Sequence, residues 1–162
     1  VANDFRQVGI VKNPTQFNSS TLFSASTARQ TFAAYIPSPS GDYEIDEKIT
    51  QTTTGAVGRV VEWDATNKIL YFQQERFSDY GVDASGNATA FSGANVITGA
   101  NSSVTGTPSS TGSETVDSIA FTSGFANPEL HPDSGEIIYI ENRRPISRAS
   151  DQTEDIKIIV EF

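Results

Sequence analysis

Apolar residues recur with period two along much of this chain, the spacing of β-strands rather than helices. Residues 5–12 (FRQVGIVK) read as a first strand. Asn13-Pro14 must end it, because proline removes a donor and restricts the residue before it. Near the other end, Ile137, Ile138, Tyr139 and Ile140 make a strand that is apolar on both sides. After a polar corner containing Arg143, Arg144 and Pro145, Ile156, Ile158, Val160 and Phe162 alternate with Lys157 and Glu161, the pattern of a half-buried strand.

Between these ends the signals are short. Residues 29–36 fit a strand or a brief helix, which Pro37 and Pro39 end either way. A strand-like run follows over 43–51. Residues 57–63 and 68–74 read as a hairpin around Asp64-Ala-Thr-Asn67, with Val61, Trp63, Ile69 and Tyr71 offered as cross-strand partners. From Ala84 to Ser113 no residue is charged, so little burial and some disorder near 105–114 are expected there. Residues 47–58 and 95–106 echo one another: each is a strand ending in Ile-Thr, then a polar turn, then a glycine-bounded restart. Two copies do not make a repeat array. They read as two similar corners of one small barrel.

Seven to ten short strands and at most one helix add up to an all-β chain, an antiparallel β-sandwich or barrel. Bringing 5–12 beside 136–162 divides it into a discontinuous sheet domain, 1–14 with 128–162, and an inserted β-rich module, 15–127, with flexible Ser/Thr/Gly-rich loops.

Composition narrows the function classes. The absence of cysteine removes disulfides, thiolate metal sites and cysteine nucleophiles together. A net charge of −9 argues against a general binder of nucleic acid or anionic membrane. No apolar run approaches the length of a transmembrane helix, and the first residues, Val-Ala-Asn-Asp, lack a signal-peptide pattern. Met is missing altogether, so a processed or excised piece of a longer protein is expected.

Ser134-Gly135-Glu136, Tyr139, Glu141-Asn142-Arg143, Pro145-Ile146, Asp151-Gln152-Thr153-Glu154 and the final Phe162 form an ordered series. With Phe5-Arg6-Gln7, Ile10 and Asn13-Pro14 near the start, it resembles the C-terminus of the baseplate wedge subunit of T4-like contractile-tailed phages, the eighth gene product of that tail. The blocks cover residues 5–14 and about 131–162. In that family the connection matching 15–127 is shorter and carries helix. The resemblance implies a structural virion component without turnover, assembled in the host cytoplasm. It further implies a homodimer in the full-length protein and contacts to other wedge proteins.

Candidate chemistry is sparse, and no catalytic, cofactor-binding or metal-binding residue is assigned; no cofactor is expected. His131 is the sole histidine, and nothing near it completes a triad or a metal site. Asp79, Asp83, Ser85 and Asn87 are spaced somewhat like a calcium loop, but Gly81 stands where a ligand should and no bidentate Glu follows. Glu44, Asp46, Glu47, Glu62, Asp64 and Glu75 could pair as glycosidase carboxylates only if a cleft held two at a set separation. Solvated strand faces are the simpler account. Arg143, Arg144 and Arg148 lie among Glu141, Asp151, Glu154 and Asp155, which favours ion pairs over an anion site. Phe77, Tyr80 and Phe91 are either contact points or core. A carbohydrate-binding or adhesin module within 15–127, read through Trp63 or Tyr80, is the alternative function.

Overall fold

The computed structural model describes residues 6–24, 28–74, 81, 82, 84–131 and 134–143, with the backbone alone for 6, 7 and 143. Eleven strands and no helix occur among them. They are β1 (Arg6–Lys12), β2 (Phe32–Tyr35), β3 (Lys48–Gln51), β4 (Ala56–Asp64), β5 (Ile69–Gln73), β6 (Ile97–Gly99), β7 (Thr105–Gly106), β8 (Glu114–Val116), β9 (Ile119–Phe121), β10 (Phe125–Ala126) and β11 (Glu136–Arg143). All named pairings are antiparallel, so the all-β reading holds, and within 29–36 the strand Phe32–Tyr35 forms.

Seven strands form the body, in the order β10-β2-β5-β4-β3-β6-β7. Alternation gives this sheet two buried faces. On one, Ala34, Ile49, Val60, Leu70, Phe72 and Ile97 gather with Phe91 and Val104. On the other, Ala33, Ile69, Phe121 and Ala126 pack with Tyr35 and Tyr71 beneath the β8–β9 hairpin. Phe91 is therefore core, its ring centroid 4.7 Å from that of Phe72 in an edge-on pair. Phe77 and Tyr80 fall outside the described residues.

The expected β4–β5 hairpin forms, but with a shifted register. A bulge between Val60 and Glu62 leaves Val61 unpaired and exposed, and the pairs become Glu62↔Tyr71, Trp63↔Leu70 and Asp64↔Ile69. Asp64 caps the turn: its carboxylate accepts from the Thr66 and Asn67 N–H groups at 2.8 and 3.0 Å and from Asn67 Nδ2 at 2.8 Å.

The two echoing corners are neighbours. β3 pairs with β6 through Ile49↔Gly99 and Thr50↔Thr98, so a local two-fold passes between Thr50 and Thr98 and relates the β3–β4 hairpin to β6–β7. Two buried polar side chains of β3 and its approach then fasten the uncharged stretch. Glu47 accepts from Asn101 and Ser102 N–H at 3.0 Å each, from Ser102 Oγ at 2.8 Å and from Glu44 N–H at 2.8 Å. Gln51 donates from Nε2 to the Asn95 carbonyl at 3.0 Å, and its Oε1 accepts from Ser92 N–H at 2.9 Å. The echo equivalent of Gln51 is Gly99, where any Cβ would sit 2.6 Å from the Glu47 carboxylate. Further along, Pro108 is fully buried and Ser109 N–H donates to the Tyr35 carbonyl at 2.9 Å. The disorder expected near 105–114 is thus replaced by order: the stretch borrows its partners from β2 and β3, which a local composition count does not see.

Candidate contact surface

β1 and β11 form a separate two-stranded ribbon, with Arg6 opposite Arg143 at one end and Lys12 opposite Glu136 at the other. The expected pairing of the first strand with the late Ser-Gly-Glu strand is present. A register shift between Ile10 and Val11 twists the ribbon. Its root is tied to the body. Asn13 takes φ 52° and Gly135 φ 90°, conformations that turn both chains at the base. The Ser134 hydroxyl accepts from Thr15 N–H at 3.0 Å and donates to the His131 carbonyl at 2.7 Å.

The ribbon does not bury what its sequence offers for burial. Ile137, Ile138 and Ile140 are 65%, 59% and 51% exposed, Ile10 is 52% exposed, and Val8, Val11 and Tyr139 are also open. The registered pairs set Val8 and Ile10 with Tyr139 on one face, and Gly9 with Ile140 on the other. Tyr139 donates its hydroxyl to Glu141 Oε2 at 3.0 Å, which keeps that ring along the ribbon. Isolated apolar residues on a surface are ordinary; apolar side chains left open on both faces of one small sheet make it a candidate contact surface. A strand with a continuous apolar run is built for cover on both sides.

The candidate chemical residues go elsewhere. His131 packs against Phe17 and accepts at Nδ1 from Asn18 N–H at 3.2 Å, a role in the ribbon's base. Glu47 is a buried hub: burial raises its pKa, but the hydrogen bonds from Ser102, Glu44 and Asn101 outweigh that and hold the carboxyl below its ordinary value. Burial, helped by the Glu47 charge, pushes the neighbouring Tyr43 hydroxyl well above its usual range. Asp64 is lowered by its hydrogen bonds to Asn67 and Thr66. Glu62 is exposed on β4, and Glu44 and Asp46 belong to the turn before β3. These carboxylates cap turns or face solvent and are not gathered around a cleft. Trp63 donates Nε1–H to Asp42 at 2.7 Å and lies edge-on to Tyr43. Asp79, Tyr80, Asp83, Glu75, Arg144, Arg148 and the acids at 151, 154 and 155 lie outside the described residues, as does the Arg143 side chain. No group of three or more His, Cys, Asp or Glu able to hold a metal ion occurs among the described residues. No helix there is long and apolar enough to cross a membrane.

The model of the family described as "Bacteriophage T4, Gp8" matches residues 71–162, more than half of the chain. The chain belongs to the Phage-Gp8 family. It is a baseplate wedge subunit of the T4 gene product 8 type, with a structural role in the phage baseplate. Compared with curated proteins and with solved structures, the chain matches none. The Phage-Gp8 match takes in the whole C-terminal block, including β11. It also reaches back to Tyr71 on β5, well into the stretch that the sequence motifs left outside the resemblance. Phe5–Pro14 lies before the matched residues.

Proposed function

We propose that this Phage-Gp8 chain is a non-enzymatic load-bearing part of the tail baseplate, and that the β1–β11 ribbon is the surface through which it touches neighbouring baseplate proteins. The observation that carries this reading is the ribbon itself: a wedge-family chain holds seven large apolar side chains open on one two-stranded element. Residues 1–14 with 128–162 act as the wedge-type sheet, and 15–127 as a module inserted into it. The full-length protein works as a homodimer and joins other wedge proteins in the virion after assembly in the host cytoplasm. Nucleic acid and membrane play no part, in keeping with the −9 charge.

Complementation tests this reading. A phage lacking its own copy is supplied with the wild-type protein or with an Ile138→Asp/Ile140→Asp variant, and tails are counted by electron microscopy. The variant is expected to fold and to leave tails unassembled. Normal tails from the folded variant would refute the ribbon as the contact surface. The adhesin alternative gains no support from Trp63, whose polar edge is already engaged by Asp42.

A further inference from the structure

The neck between ribbon and body holds a titratable group that the contact role leaves unused. Residues 14–23 form a short loop without a charged side chain. It is bridged at Thr15↔Leu22 and laid against the run before β11 at Gln16↔Leu130. Phe17 N–H donates to the Glu129 carbonyl at 3.0 Å, and His131 N–H to the Thr15 carbonyl at 2.9 Å. Thr15 N–H in turn donates to Ser134 Oγ at 3.0 Å, at the foot of β11. At the apex, Asn18 takes φ 52°, a left-handed conformation, and its N–H donates to His131 Nδ1 at 3.2 Å. We propose that His131 is a proton-sensitive latch on the root of the ribbon, closed while Nδ1 is bare and opened by protonation.

An imidazole nitrogen accepts a hydrogen bond only through a free lone pair, so this contact demands the neutral ring with its proton on Nε2. In the imidazolium both nitrogens carry hydrogen, and Nδ1–H would meet the Asn18 N–H donor against donor. Histidine is the side chain that changes charge between about pH 5 and 8, so mild acid is the trigger. Protonation takes the acceptor from a residue in a left-handed backbone, which persists only while its surroundings hold it. The ring keeps its place beside Phe17, 6.0 Å between centroids, because a cation is attracted to an aromatic neighbour. Release therefore starts at the apex and passes through Thr15 to Ser134, loosening the foot of the ribbon.

The charged groups around the latch come from three directions. The Glu129 carboxylate accepts from Arg29 N–H at 2.9 Å, and the Arg29 guanidinium is turned to the Thr31 and Asn127 carbonyls. Lys12 is registered with Glu136 at the ribbon's foot. Asp133, two residues on in the sequence, lies outside the described residues. These groups set the field around the ring; what protonation breaks is the Asn18 bond. The inference rests on the geometry of the root and does not require the ribbon to be the assembly surface.

NMR of the full chain, titrated from about pH 8 to 5, tests it. At the upper end the His131 Nδ1 resonance should be that of a bare imidazole nitrogen. Amides of Asn18, Thr15 and Ser134 should shift with the midpoint of the His131 ring protons, while β3–β6 amides should not follow. Solvent exchange of Asn18, corrected for its intrinsic pH dependence, should rise about fivefold, the factor for one hydrogen bond of ordinary net strength. Two variants separate the latch from general loosening in acid. His131→Asn offers an acceptor that does not titrate and should keep Asn18 protected throughout. His131→Phe keeps a ring beside Phe17 without an acceptor and should leave Asn18 open throughout. A proton on Nδ1 at the upper pH, an Asn18 response that persists in both variants, or one that leaves Thr15 and Ser134 unmoved would each overturn the inference.

Discussion

The body sheet and the ribbon are built from similar apolar residue types but dispose of them in opposite ways. In the body, each strand's apolar side finds cover within the chain, and its turns are held by buried polar groups such as Glu47 and Gln51. In the ribbon, the same aliphatic residue types stay open to solvent on both faces. A large part of folding free energy comes from apolar burial, so the body should fold largely on its own account, while the proposed contact role would give the ribbon's apolar residues their cover from another surface. Substitutions in the two regions should therefore differ in what they damage: folding in one, association in the other.

The largest effect should come from Phe72→Ala. Phe72 is fully buried against Phe32 and Phe91, and its truncation should cost about 3–5 kcal/mol, seen in denaturant unfolding. A body that tolerated this loss would break the contrast at once. Glu47→Ala should come next. It strands the N–H groups of Asn101, Ser102 and Glu44, and about 2–4 kcal/mol should go by the same assay.

Acid titration sharpens the Glu47 assignment. Its carboxyl is held below the ordinary 4.5 in the folded protein. The unfolded chain then binds its proton first as pH falls, so this contribution is complete above about 4.5 and is lost as pH drops through the lower folded value. Stability of Glu47→Gln, measured from pH 7 down to 3, should fall less steeply than that of the wild type. Equal slopes would assign the acid sensitivity to other groups.

Gly135→Ala probes the join between the regions. A Cβ there would lie 2.7 Å from Val11 Cγ1 and 2.8 Å from the Lys12 carbonyl, in a backbone at φ 90°. A cost of about 1–3 kcal/mol is expected, confined to the ribbon and read by faster exchange of β1 and β11 amides. The smallest effect belongs to Ile138→Ala: within about 0.5 kcal/mol for the isolated chain, despite the residue's size, because its side chain is already 59% exposed.

The sequence made the fold class legible because period-2 alternation and turn residues are local signals. The β1–β11 pairing was legible through matching end motifs, and the β4–β5 hairpin through its Asp64–Asn67 turn. The Val61 bulge was hidden, since one extra residue in a strand leaves no mark on composition. Order in the uncharged stretch was hidden too: Glu47 and Gln51 reach it from β3 and its approach, across more than forty residues. Glu47 drew attention as a carboxylate, yet its chemistry is spent on backbone donors inside the fold. For the contact surface, the run Ile137–Ile140 announced a strand apolar on both sides. That those side chains stay open among the described residues could be learned only from the arrangement in space.

Hydrogen exchange read by mass spectrometry on the free protein and on purified tails tests the central contrast most directly. Peptides covering β1 and β11 should exchange markedly more slowly in tails, while those covering β3 to β6 should be unchanged. Equal ribbon exchange in the two samples, with protection gained elsewhere, would contradict the ribbon as the surface that joins this subunit to its neighbours.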